Sequence, residues 1–185
     1  MDPAIQMLYA EHRVIERIVG ALGRLAALAM EGRPLSLPQV SETIDLMRGC
    51  TDAYHHGKEE RILFPMLVEC PTYRLRVPVG VLNREHEIGR GHVREMAAAA
   101  DQGLEGEARD HFASHAVAYQ SLLRVHINKE DKGLFPTADR ALDEPAKARL
   151  RQLFDRFEGQ APRRLPEYRE RVLLLERALG LRGPR

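Results

Sequence analysis

The chain contains a repeated arrangement of histidine and glutamate that could bind metal ions. Each copy has a Glu-His pair followed, 43 residues later in the first copy and 40 in the second, by a His-x-x-x-Glu segment that ends in Leu-Phe-Pro. The residues of the two copies that could bind a metal ion are His12, His55, Glu59, His86, His126 and Glu130. Because both copies share the same Leu-Phe-Pro offset, the pattern is more specific than a single His-x-x-x-Glu spacing.

The spacing within each segment suits a shared metal cluster. Residues four apart on an α-helix lie about 40° apart around the axis and about 6 Å apart along it, so His and Glu at this spacing point the same way. Neutral imidazoles and shared carboxylates are a ligand set for iron, manganese or zinc. Apolar residues at helical spacing flank the histidines, for example Leu8 and Ile15 around His12. Buried His and Glu side chains need partners, and a dinuclear metal site would supply them.

Neighbouring residues compete with two of these candidates. His56 and Glu60 repeat the spacing one residue later. However, His56 points about 100° away from the apolar side of a regular helix, which favours a position behind the metal ligands or at the surface. Asp131 competes with Glu130. However, Asp131 lies five residues after His126, whereas the first copy has its glutamate at plus four.

Other titratable residues near the repeat are weaker candidates. Glu16 follows His12 by four residues, but its counterpart in the second copy is Arg90. We expect His92 to lie on the surface. His115, about 16 Å along its helix from the second His-x-x-x-Glu segment, is interpreted as a hydrogen-bonded histidine rather than a separate site. We interpret Tyr54 and Tyr119 as core residues. The alternative is a redox-active phenol or one that lies behind the metal ligands.

The elements that must position these residues are helices. Apolar residues recur at spacings of three and four, and strand signals are nearly absent. Asp2 and Pro3 predict a helix start. Long helices are predicted over about residues 3–31, 36–64, 78–101 and 107–134, and Leu-Phe-Pro bends or stops the second and closes the fourth. Two further helices are predicted over about residues 145–158 and 166–179.

Short turns after the first and third helices predict an all-α fold, an up-down antiparallel four-helix bundle with two extra C-terminal helices. The four histidines lie about 24 to 28 Å from these turns, so their side chains can meet in one layer. We expect residues 1–140 to form the metal-binding bundle and residues 141–185 to form a helical extension packed on it.

Composition limits the partners and the compartment. The net charge is +1, from 28 basic and 27 acidic residues, so no large field of one sign favours nucleic acid or a membrane surface. No run of about 18 apolar residues exists, and the N-terminus does not resemble a secretory signal. Cys50 and Cys70 lie roughly 30 Å apart on one predicted helix and cannot pair. These features predict a reduced, cytoplasmic protein.

Four segments resemble the hemerythrin-like HHE cation-binding domain over about residues 1–140. They are the Glu-His pair ending at His12, the segment HHGKEERILFP, the Glu-His pair ending at His86 and the segment HINKEDKGLFP. The resemblance implies a hemerythrin-like bundle with two iron ions, or a manganese and iron pair, joined by an oxo or hydroxo bridge. It implies terminal ligands at His12, His55, His86 and His126. It also implies that two glutamates bridge the ions, Glu59 and Glu130.

The sequence departs from the oxygen-carrier hemerythrins, which have five histidines. The fifth, expected four residues after His86, is Arg90, and the second bridge resembles Glu130 instead of an aspartate. The resemblance therefore implies open positions on both irons, with Gly89 leaving room for a ligand. Oxygen, nitric oxide or peroxide would bind or react there, in stress response or iron handling. An oxygen, iron or redox sensor, or a metal-binding protein without turnover, is the alternative.

Overall fold

The computed structural model describes residues 1–70 and 75–181, which form six helices and no strand. Their bounds are Pro3–Met30 (α1), 37–69 (α2), Arg76–Asp101 (α3), 106–141 (α4), Glu144–Gln160 (α5) and Leu165–Ala178 (α6). Helices α1 to α4 form the four-helix bundle, and α5 and α6 are the extra C-terminal helices. The prediction of an all-α bundle with a C-terminal helical addition is confirmed.

Helix α1 begins as its sequence predicts. The Asp2 side chain accepts a hydrogen bond from the amide of Ala4 at 2.8 Å, which satisfies one of the free N–H groups of the first turn. Pro3 occupies the first helical position, where its missing N–H is not needed. The helix ends just before Gly32, whose φ of +69° is a left-handed conformation that favours glycine.

Helices α2 and α4 contain π-helical turns, in which the backbone hydrogen bonds span five residues instead of four. These turns cover Met47–His56, Glu59–Leu63 and Glu130–Leu134. Two of them come directly before Phe-Pro, where Pro65 or Pro136 lacks an N–H and would crowd a carbonyl of a regular helix. The wider turn accommodates the proline. The predicted end of the fourth helix at Leu-Phe-Pro is therefore wrong, since α4 continues to Ala141. Of the two alternatives for the second helix, a stop at Pro65 is wrong, since α2 continues to Glu69.

The bundle core is divided into two apolar clusters. One contains side chains such as Leu22, Met96 and Phe112, and the other contains Leu8 and Leu63. The histidines of the repeat lie between these clusters along all four helices, because apolar residues of one cluster precede each histidine and those of the other follow it. The polar layer is thus bounded on both sides by packed apolar residues.

Helices α5 and α6 pack against α1 and α2. Gly57 lets α5 approach α2, because a Cβ atom there would lie only 3.1 Å from the ring of Phe157. Arg17 of α1 donates two hydrogen bonds, of 2.9 and 2.6 Å, to the carboxylate of Glu176 on α6. The division of the chain after residue 140 stays a prediction.

The described residues also locate both cysteines. Cys50 is buried and Cys70 is half-buried, and both are free thiols. Burial raises the pKa of the Cys50 thiol to about 12. The predicted connection between α2 and α3 lies partly outside the described residues, at 71–74. Among the helices of residues 1–70 and 75–181, none combines the length and apolar character needed to cross a membrane.

Candidate metal centre

The four histidines of the repeat form two pairs in the polar layer. The Nε2 atoms of His12 and His55 are 2.9 Å apart, and those of His86 and His126 are 3.0 Å apart. Each pair therefore comes from one copy of the repeat. All four side chains are at most 2% exposed, so the nitrogen atoms face one another in the bundle interior.

Two glutamates lie between the histidine pairs. Glu59 places one oxygen 3.6 Å from Nε2 of His55 and the other 3.5 Å from Nε2 of His86. The Oε2 atom of Glu130 lies 3.3 Å from Nε2 of His12 and 3.3 Å from Nε2 of His126. Both glutamates are fully buried, and none of their four oxygens has a hydrogen-bond partner. Buried carboxylates without partners are costly, so this donor set fits two metal ions, one at each histidine pair.

Each histidine of the two pairs is oriented by an outer carboxylate, which accepts a hydrogen bond from its Nδ1. The bonds are His12 to Asp131 at 2.6 Å, His55 to Glu11 at 2.8 Å, His86 to Glu60 at 2.7 Å and His126 to Glu85 at 2.9 Å. A proton held on Nδ1 leaves the lone pair of Nε2 free for a metal. All four imidazoles are therefore presented as ligands in the same way.

Each outer carboxylate also contacts a cationic side chain. The pairs are Glu11 with Lys58, Glu60 with Arg90, Glu85 with Lys129 and Asp131 with Arg13. The repeat carries a signal for this arrangement, since Glu11 and Glu85, and Lys58 and Lys129, occupy equivalent positions in the two copies. We did not predict these roles, because a spacing pattern on one helix does not reveal a partner on another.

Burial and neighbouring charges set the protonation of the donors. Burial, with the charges of neighbouring histidines, lowers the pKa of His55 well below 6.5, so this imidazole is neutral. Burial also lowers the pKa of His12, but the hydrogen bond to Asp131 and the negative charges of Asp131 and Glu130 outweigh it and raise that pKa to about 9. Burial and the charge of Glu130 raise the pKa of Glu59. Because ligands must lose their protons, metal binding should release protons here.

His56 occupies a different position from the one its sequence predicts. It is only 5% exposed, and its ring stacks on that of His86 with centroids 3.6 Å apart and planes 12° apart. Its Nε2 has no hydrogen-bond partner, and it forms a group with Glu59, His86 and His126 whose donor atoms lie within 4.8 Å of one another. The surface position is wrong because Met47–His56 is a π-helical segment, where angles calculated for a regular helix do not apply.

The remaining competitors lie outside the donor group. Asp131 accepts the outer hydrogen bond described above. Glu16 forms an ion pair of 3.2 Å with Arg13 at the surface. Tyr54 donates a hydrogen bond of 2.7 Å to Glu158 of α5.

The Leu-Phe-Pro signature also contributes to the centre. The ring of Phe135 stacks on His12 with centroids 5.1 Å apart, and the ring of Phe64 stacks on His86 at 5.9 Å. Each phenylalanine thus packs on the single histidine of the other copy. The repeated motif therefore also orients the imidazole planes of His12 and His86.

A cavity of about 170 Å³ opens beside His86 and His126. It is lined by His56, Gly89, Arg90 and Tyr119 among others. A Cβ atom at Gly89 would lie 3.5 Å from the ring of Tyr119, so the glycine widens the cavity by about one methyl group. At its edge Arg90 binds Glu60 at 2.6 Å and Asp52 at 2.8 Å. His12 and His55 do not line this cavity.

A four-helix bundle that gathers buried histidine and glutamate side chains between its helices defines a helical metal-binding protein. The family model of the hemerythrin HHE cation binding domain matches residues 4–138, and the chain belongs to this family. It is 27% identical over 182 residues to the uncharacterized proteins Mb2018 of Mycobacterium bovis and Rv1995 of Mycobacterium tuberculosis, covering 94% of this chain and 69% of each relative. No solved structure gives a significant match.

Proposed function

We propose that His12 and His55 hold one iron ion, that His86 and His126 hold a second, and that Glu59 and Glu130 bridge them. The observation that carries this proposal is the burial of four carboxylate oxygens without partners between two facing pairs of Nε2 atoms. A manganese and iron pair would suit the same donors. When bound, the ions supply redox chemistry at an open coordination position.

The proposed reaction is with oxygen, nitric oxide or peroxide, in stress response or iron handling. Support comes from the cavity of about 170 Å³ beside His86 and His126. A water molecule occupies about 30 Å³ of liquid, so the cavity has room for a diatomic ligand or a peroxide. The outer carboxylates keep the imidazoles fixed while the ligand enters, and Arg90 holds two of the acidic groups at the cavity edge.

The test combines anaerobic loading with ferrous iron and substitutions at the cavity. We expect two iron ions per chain and a change in absorbance on adding oxygen, nitric oxide or hydrogen peroxide. Gly89→Leu should slow that reaction by about tenfold, or about 1.4 kcal/mol in the barrier, because the side chain fills the cavity. Gly91→Leu is the matched control on the same helix, since Gly91 does not line the cavity. Wild-type protein that responds to none of the three ligands would contradict the proposal.

A second candidate function is a metal-dependent or redox-dependent sensor without turnover. The observation that favours it is a chain of contacts from the centre to α5, in which His55 binds Glu11, Glu11 binds Lys58 and Lys58 binds Glu158. A change at His55 could thereby alter how α5 packs. Limited proteolysis of metal-free, reduced and oxidised protein tests this, and identical cleavage of α5 in all three would count against a sensor.

A further inference from the structure

A second cluster of metal-binding side chains lies on the outside of the bundle, between α3 and α4. Helix α3 contributes His92 and Glu95, three residues apart, and α4 contributes His111 and His115, four residues apart. The Nδ1 atoms of His92 and His115 are 2.9 Å apart, and Nε2 of His111 lies 3.0 Å from a carboxylate oxygen of Glu95. Donor atoms of Glu95, His111 and His115 all lie within 4.8 Å of one another.

The cluster is separate from the buried centre. His115 precedes His126 by eleven residues on α4, which places it roughly 16 Å away along the axis. No residue belongs to both groups of donors. The surroundings also differ, because His111 and Glu95 are 47% and 51% exposed, whereas the donors of the buried centre are at most 2% exposed.

The side chains of the cluster are poorly explained by packing alone. Two Nδ1 atoms in contact can share only one proton, and three neighbouring imidazoles would repel one another when charged. Burial and the nearby His115 lower the pKa of His92, which keeps that ring neutral. Residues four apart on α4 and Glu95 on the facing helix α3 bring donors of Glu95, His111 and His115 together, and a single cation would satisfy these three.

We propose that Glu95, His111 and His115 bind one divalent transition-metal ion, independently of the buried centre, with His92 in contact with His115 beside it. Two imidazoles and one carboxylate suit zinc, nickel or copper, whereas magnesium and calcium prefer oxygen donors. The exposed His111 contacts Glu95 of the cluster itself, whereas each histidine of the buried centre has a separate outer carboxylate that orients it. The surface ion is therefore expected to bind more weakly than the two buried ions.

Zinc binding to the iron-loaded protein tests the proposal, because elemental analysis after equilibrium dialysis counts the two metals separately. We expect one zinc ion per chain in addition to the iron. His111→Ala and His115→Ala should each weaken zinc binding by about tenfold or more, since even loss of an outer-sphere partner costs about 10–100-fold at metal sites. Asp110→Ala is the control, because Asp110 neighbours His111, is 77% exposed and lies outside the cluster.

A further variant separates this site from the buried centre. Glu59→Gln removes a predicted bridge of that centre but leaves the surface cluster intact, so it should lose iron and keep the surface zinc ion. Absence of a zinc ion from the wild-type protein would overturn the surface site. Equal zinc binding by His111→Ala, His115→Ala and Asp110→Ala would overturn it as well. Failure of iron to bind would leave the surface site unaffected.

Discussion

Replacing Glu59 with glutamine should lower the affinity for both buried ions by at least about 100-fold, because an outer-sphere partner alone contributes about 10–100-fold at metal sites. The reason is geometric. The two oxygens of Glu59 lie 3.6 and 3.5 Å from the Nε2 atoms of His55 and His86, which belong to different histidine pairs. A single substitution therefore affects both metal positions. Metal content after dialysis measures the loss.

The same substitution should stabilise the protein without metal. Glu59 is fully buried, its oxygens have no hydrogen-bond partner, and burial with the charge of Glu130 raises its pKa. A carboxyl with a raised pKa must take up a proton when the chain folds at neutral pH. Glutamine removes this cost, so the free energy of unfolding of metal-free protein should rise by about 1 kcal/mol or more. Glu16→Gln, at a surface ion pair of α1, should change neither quantity. Two ions bound to Glu59→Gln with wild-type affinity would show that Glu59 is not a ligand.

Replacing Lys58 with methionine should lower the free energy of unfolding by about 3–5 kcal/mol, the usual cost of breaking a buried ion pair. The Nζ atom of Lys58 is fully buried, lies 2.5 Å from Glu11 and 3.6 Å from the ring centroid of Tyr54, and also contacts Glu158. Methionine would fill the space but leave the charge of Glu11 buried and unpaired. Urea denaturation of metal-free protein measures the effect.

The repeat supplies a matched control for this prediction. Lys129 is the counterpart of Lys58 and binds Glu85, but it is 44% exposed, so Lys129→Met should cost only about 0–1 kcal/mol. Adding Glu11→Gln to Lys58→Met should recover part of the lost stability, because the fully buried side chain at position 11 is then neutral. If Lys58→Met and Lys129→Met were equally mild, the buried ion pair would not have the importance that its geometry indicates.

The helical fold could be predicted because its signals are local. Asp2 and Pro3 start α1 through backbone chemistry that depends on adjacent residues, and the glycine and proline positions mark the turns. The ends of α2 and α4 could not be predicted in the same way. A proline normally ends a helix, but a π turn before Pro65 and Pro136 gives its ring space, and the choice between these outcomes depends on packing of the whole bundle.

The site could be predicted in part for a similar reason. The repeat identified six donors that the structure brings into one layer, although their role as ligands stays a prediction. His56 was misplaced because its direction depends on a π-helical segment. The outer contacts of Glu11, Glu60 and Glu85 cross between helices, so no spacing on a single helix indicates them. Comparison of the two copies position by position would have drawn attention to Glu11 and Glu85.

The two copies of the repeat differ in what covers them. In the first copy, Glu158 of α5 contacts the buried Lys58, whereas in the second copy Lys129 is 44% exposed and a cavity reaches His86 and His126. The repeat thus has a covered side and an accessible side. A small molecule that enters the cavity would reach His86 and His126, while His12 and His55 stay out of its reach.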